Sequence, residues 1–278
     1  MNIFHFETEN LKTSHSFDSK PSPDSFFLHA HRMFELFYFI SGDCYYTVEG
    51  TDYPLEPGYI LLMRDGEAHT LHVRSDVPYE RVSIHFSQDI ISLLGKAAND
   101  LFINRLLGKN NLFIPADDSA SFIKSCINNI SRDPSPTVSE GQIVSYLLPI
   151  IAELYHIKNS QDGKNIGPFV PAQRGSSETV SKIIEYINNN LVTIKDLEEL
   201  EREFFFSKSY INRIFKDSTG SSVWDFIVLK RLLLARSLLQ EGRQANIVAS
   251  ECGFCDYSSF YRQFKKRFGI SPLDARGK

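Results

Sequence analysis

The chain is poor in several features that would point to a membrane, a secreted scaffold or a strongly charged surface. No apolar run approaches the ~18 residues that a membrane-spanning helix needs, so no membrane partner is expected. Its start, Met1 to His15, mixes Glu7, Glu9 and Lys12 with polar residues and lacks the basic-then-apolar order of a signal peptide. Cysteine is scarce. Cys44, Cys126, Cys252 and Cys255 are all there is in 278 residues, too few for a disulfide framework, and a reducing cytoplasm is the expected compartment. Net charge is also small, at −4.

Aromatic and apolar residues are plentiful: 22 Phe, 12 Tyr and 42% hydrophobic overall, enough for packed cores in a chain of two-domain length. The small net charge hides an asymmetry. Residues 1–203 hold 17 Lys+Arg against 28 Asp+Glu, a net of −11, and residues 204–278 hold 13 against 6, a net of +7. An acidic body joined to a basic tail region points to a polyanion met by the C-terminal part.

The first ~90 residues read as β structure. Glu35–Ser41, Cys44–Glu49, Tyr59–Met63 and Arg81–Phe86 are short aromatic or β-branched runs, separated by turn signals such as Gly50-Thr51-Asp52 and Glu56-Pro57-Gly58. Such spacing predicts a sandwich or small barrel. Apolar residues at three-to-four spacing then predict helices over 90–107, 120–130 and 138–156. Residues 158–177 have the Gly, Pro, Ser and Asn content of a linker, which divides the chain into domains 1–157 and 178–278.

From Glu178 onward the pattern is of short helices. Ser207 can cap a helix Lys208–Asp217 with Ile211, Ile214 and Phe215 inward. After a long helix, Val223–Gln240, the arrangement repeats: Ile247–Cys252, a turn at Gly253, and Tyr257–Phe268 with Phe260, Phe264 and Phe268 on one face. The remaining positions of both helices are mostly polar or basic, which suits a helix in the major groove.

Tyr210-Ile211-Asn212-Arg213-Ile214-Phe215-Lys216, Gly220, Arg231-Leu232, Ala249, Gly253-Phe254, Asp256, Ser259-Phe260, Arg262, Phe264-Lys265-Lys266, Gly269, Ser271-Pro272 and Arg276 resemble the DNA-binding domain of the AraC/XylS family of bacterial transcription regulators. The resemblance implies two recognition helices in successive major-groove segments, about 34 Å apart. It implies base contacts from Ser209, Asn212, Arg213, Tyr257, Ser258, Ser259 and Arg262, and phosphate contacts from Lys208, Lys216, Lys265 and Lys266. Glu201 departs from the family, which usually has a small Ala there.

The N-terminal half resembles the cupin pattern. His29-x-His31-x-x-x-Glu35-x6-Gly42 matches its first motif and Gly58-x5-Arg64-x-Gly66-x-x-His69 its second, with Arg64 and Val73 in place of the usual Pro and Asn. Positions 29, 31 and 35 share parity, so a continuous strand would point all three side chains to one face. His29, His31, Glu35 and His69 can line a polar effector pocket, ligate a metal, or serve as satisfied structural residues. His72 and His85 are read as structural. The fold class is therefore α+β: a cupin-like β-barrel with helices, then an all-α domain with two helix-turn-helix motifs. The expected function is a sequence-specific regulator, an activator by resemblance, responding to a small molecule such as a carbohydrate. Its expected partners are promoter DNA, RNA polymerase and a second copy of the chain. No cofactor and no catalytic residue are expected. The alternative is a metal-dependent cupin enzyme with an appended helical domain. Cys252-Gly253-Phe254-Cys255 also has the spacing of a redox pair.

Overall fold

The computed structural model describes residues 2–22, 25–131, 139–160 and 175–276, apart from the side chains of 175–177. The chain divides into two compact units, Met1–Phe27 with His31–Ala172, and Leu28–Ala30 with Gln173–Lys278. Most of the expected linker, residues 161–174, lies outside the described residues.

The strands of the first unit are β1 (Asn2–Glu7), β2 (Leu11–Asp18), β3 (Phe34–Ser41), β4 (Cys44–Val48), β5 (Thr51–Pro54), β6 (Ile60–Met63), β7 (His69–Val73), β8 (Tyr79–Phe86) and β9 (Leu112–Phe113). They form a six-stranded sheet, β1-β2-β8-β3-β6-β9, and a three-stranded sheet, β5-β4-β7. The turn between β4 and β5 is Glu49-Gly50, one residue ahead of the expected position. Val48 pairs with Thr51, and both turn residues have positive φ, 46° and 75°, as a two-residue type I′ turn demands.

The helices of this unit are α1 (Gln88–Ile91), α2 (Lys96–Ala98), α3 (Asp117–Ile130) and α4 (Glu140–Asn159). The single helix expected over 90–107 is instead a set of short turns, broken at Gly95 with φ 49° and ending in a π-type turn, Asn99–Ile103. Helix α4 runs through Pro149.

β3 is buried on both faces, and its near-continuous apolar run reflects that. Phe34, Leu36 and Tyr38 join Val82, Ile84 and Phe86 of β8, Ile123 and Ile127 of α3, and Leu147 and Leu154 of α4 in one core. Phe37 and Phe39 face the small sheet and pack with Tyr46, Val48, Tyr53 and Leu71. Glu35 lies on this second face, the one acidic residue in an otherwise apolar stretch, and is only 4% exposed. A carboxylate there requires partners.

The second unit contains α5 (Gly175–Asn189), α6 (Glu198–Phe204), α7 (Lys208–Thr219), α8 (Val223–Gln240), α9 (Ala245–Glu251) and α10 (Tyr257–Phe268). Phe215 of α7 packs on Phe226 of α8 with ring centroids 5.4 Å apart. Leu232, Ala235 and Leu239 of α8 enclose a second core with Val248, Ala249, Cys252, Phe260 and Phe264. The long helix therefore carries a helix-turn-helix on each half.

Candidate effector site and DNA-reading surface

In the first unit, three imidazoles converge on one carboxylate oxygen. Oε2 of Glu35 lies 3.0 Å from Nε2 of His31, 3.3 Å from Nε2 of His69 and 3.5 Å from Nε2 of His85. Each comes from a different place. Glu35 and His85 are direct cross-strand partners in the β3–β8 ladder, so they share a face. His69 begins β7 in the other sheet, fully buried. His31 precedes β3 rather than extending it, and reaches Glu35 four residues on.

Carbonyl oxygens cannot donate, so Nδ1 carries a proton in two of the rings. Nδ1–H of His31 donates to the Met33 carbonyl and Nδ1–H of His69 to the Glu67 carbonyl, both at 2.8 Å. Burial alone would raise the Glu35 carboxyl, but His85 and the hydrogen bonds from the imidazoles hold it well below the usual range. Burial pulls His31 down against its bond to Glu35. Burial also works to lower His69, yet its contacts with Glu35 prevail and raise it.

Glu67 supports this cluster. Its buried carboxylate takes two 2.7 Å bonds from Arg105, and further bonds from the backbone N–H groups of Arg64 and Gly108 and the Asn111 amide. The charge and hydrogen bonds of Arg105 overcome the cost of burial and keep its pKa low.

The structure thus brings His31, Glu35 and His69 together. His29 is exposed, and the segment that holds it, Leu28–Ala30, groups with the second unit. His85, read from sequence as structural, joins those three. No motif flagged it, because only the strand register sets it opposite Glu35. His72 stacks on Tyr45, with ring centroids 4.5 Å apart and an interplanar angle of 7°. A cleft of about 640 Å³ lies elsewhere in the unit, lined by His15 and by α3 residues including Lys124, Asn128 and Asn129.

In the second unit, α7 and α10 are built alike. Ser207 Oγ accepts from the Tyr210 N–H at 3.3 Å, and Asp256 Oδ1 from the Ser259 N–H at 2.7 Å. Each helix ends at a left-handed glycine, Gly220 or Gly269, both at φ 74°. Ile211, Ile214 and Phe215 are buried in one, Phe260 and Phe264 in the other. Ser209, Arg213, Lys216, Tyr257, Ser258, Arg262, Lys265 and Lys266 are exposed.

Three of the expected DNA contacts have commitments inside the protein. Asn212 Oδ1 accepts from the Val223 N–H at 3.2 Å, at the start of α8. Ser259 Oγ accepts from the Gln263 amide at 3.0 Å. The Lys208 ammonium pairs with Glu198, with Glu201 at 3.9 Å. Glu201 also accepts the Lys208 backbone N–H at 2.8 Å, placing a negative charge at the N-terminus of α7. The larger side chain in place of Ala thus stabilises the motif.

Burial pushes the Cys252 thiol up to about 12, whereas Cys255 is exposed. At neutral pH, native protein should therefore expose one fast-reacting thiol to Ellman's reagent, at Cys255. Rapid oxidation of a Cys252–Cys255 pair would show instead that the motif is redox-active.

Among the described residues, no helix is long and apolar enough to cross a membrane. Residues 19–107 match the model of the AraC-like ligand binding domain, and residues 200–278 that of a helix-turn-helix domain. The HTH-type transcriptional activator RhaS of Mannheimia succiniciproducens is 22% identical over 250 residues, which cover 89% of this chain and 88% of RhaS. The transcriptional regulatory protein HptR of Staphylococcus aureus is 28% identical over 123 residues, covering 42% of this chain and 49% of HptR, so the chain matches about half of that relative. The crystal structure of ToxT from Vibrio cholerae O395 aligns over 96% of this chain and 97% of its own, at 15% identity and a TM-score of 0.39. With an AraC-like ligand-binding domain followed by a helix-turn-helix domain, the chain belongs to the AraC family of transcription regulators.

Proposed function

We propose that the chain binds promoter DNA through α7 and α10 and changes that binding when its first domain takes up a small effector. The observation that carries this reading is the repeated construction of the two helices. Each is capped, each is anchored on α8 by one apolar face, and each presents Ser, Arg and Lys to solvent. Arg213 and Arg262 would read base edges, with Ser209, Tyr257 and Ser258 beside them. Lys216, Lys265 and Lys266 would hold phosphates.

The domains would be 1–157 for sensing and 178–278 for DNA, in a cytoplasmic homodimer that acts as an activator with RNA polymerase. The cluster of His31, Glu35, His69 and His85 would be the effector site. A preorganised pair of conformations, shifted by the effector, would link the two activities.

Arg213→Ala and Arg262→Ala should each weaken binding to the preferred duplex by about 1–3 kcal/mol and relax preference at one base position. Lys265→Ala should weaken all sequences alike and reduce the salt slope by about one. Fluorescence anisotropy on matched and scrambled duplexes separates these outcomes. A uniform loss for both arginine variants would assign them to phosphates instead.

A further inference from the structure

The effector cluster has a chemical peculiarity that an ordinary polar pocket does not. Because Nδ1 of His31 donates to the Met33 carbonyl, Nε2 is the ring atom turned to Glu35, 3.0 Å from its Oε2. His85 brings a further Nε2 to the same oxygen at 3.5 Å. The donor atoms of His31, Glu35 and His85 all lie within 4.8 Å of one another.

The spacing matches the edge of a coordination polyhedron. Two ligands each about 2.1 Å from one ion lie about 3.0 Å apart at a right angle and about 3.4 Å apart at a tetrahedral angle. The observed His–Glu separations, 3.0 and 3.5 Å, fall at these edges. The frame is rigid. Glu35 and His85 are locked by ladder pairing, and His31 by its bond to Met33. His69, bonded to the Glu67 carbonyl, approaches the same carboxylate oxygen from the second sheet.

We propose that His31, Glu35 and His85 bind one divalent transition-metal ion, with His69 positioning the Glu35 carboxylate. Two imidazoles and one carboxylate suit iron(II), manganese(II), cobalt(II) or zinc(II), and three protein ligands leave coordination positions for water or a small chelating anion. The proposal deepens the effector reading and rests on it: the ion would be the effector itself or its anchor. It adds His85 to the residues of the sequence motif.

The test uses the full chain, stripped with EDTA and titrated with cobalt(II). One equivalent should bind, with visible bands of nitrogen and oxygen coordination. His85→Ala and Glu35→Gln should each weaken binding by more than the roughly 10–100-fold that loss of an outer-shell partner costs. His5→Ala, an exposed histidine elsewhere in the unit, should leave it unchanged. If a variant fails to fold by circular dichroism, NMR of the cobalt-loaded wild type decides: exchangeable, paramagnetically shifted ring N–H signals from ligating imidazoles support the site, and their absence overturns it. Lack of saturable binding, or equal loss in the His5 and His85 variants, also overturns it. Selection of a DNA sequence by the same preparation is scored separately. Metal uptake without any selected sequence would keep the site and sink the regulator reading; a selected sequence without uptake would do the reverse.

Discussion

Arg105→Met should lower the unfolding free energy of the first domain by about 3–5 kcal/mol, the typical consequence of removing one partner from a buried ion pair. The side chain would still fill the space. What is lost is the charge facing Glu67, whose carboxylate is 0% exposed and holds both 2.7 Å bonds to the guanidinium. Arg105 also donates to the carbonyls of Leu101, Lys109 and Leu62, so three further acceptors lose a donor. Urea unfolding followed by far-ultraviolet circular dichroism measures the cost. The double variant Arg105→Met with Glu67→Gln should recover part of it, because no unpaired charge then remains. A loss below about 1 kcal/mol for Arg105→Met would contradict this description of the network. The effect should reach the effector site, since the Glu67 carbonyl fixes the His69 ring.

In the second domain the corresponding residue is Arg231. Its guanidinium, 3% exposed as a residue, donates to the carbonyls of Leu191, Ile194 and Gly253. One side chain thus ties the segment between α5 and α6 to the turn of the second helix-turn-helix. Replacing it with Met should cost roughly 3–5 kcal/mol, because three hydrogen bonds to a charged donor disappear and the carbonyls remain half-enclosed. Lysine should not rescue, since one ammonium cannot span three diverging acceptors. Gly253→Ala should be similarly harmful. The residue sits at φ 82°, and an added Cβ would lie 2.6 Å from the Val192 carbonyl oxygen and 2.9 Å from Arg231 Cζ. Trp224 is the chain's single tryptophan and lies 5.7 Å from the Arg231 guanidinium, so its fluorescence reports on this domain directly. Unchanged tryptophan melting in both variants would contradict the role assigned to Arg231.

The helical half was largely legible in the sequence because its signals are local. Ser207 marks an end within a turn of where it acts, and the spacing of Ile211, Ile214 and Phe215 marks a face. The long helix and the second recognition helix have the boundaries expected from periodicity alone. The β half was less legible because its determinants are distant. β2 is mostly polar, with only Leu11 and Thr13 buried, and it gains its place by pairing with β8. The 90–107 segment has helical periodicity, but Gly95 takes φ 49° and separates the turn Ser92–Leu94 from Lys96–Ala98. The effector cluster shows the same limit. His31, Glu35 and His69 stood out as a motif, whereas His85 joins through a β3–β8 register that no local pattern encodes. Polar commitments were also hidden: the bond from the Val223 N–H to Asn212 and the pairing of Lys208 with Glu198 have no local signature.

The most direct measurement is selection from a random duplex pool by the full chain, followed by sequencing at several salt concentrations. Two short preferred motifs should emerge with centres one helical turn, about 10–10.5 base pairs, apart, and affinity should fall steeply with salt. Enrichment of no sequence, or of one motif that Arg213→Ala and Arg262→Ala affect identically, would contradict recognition by the paired helices α7 and α10.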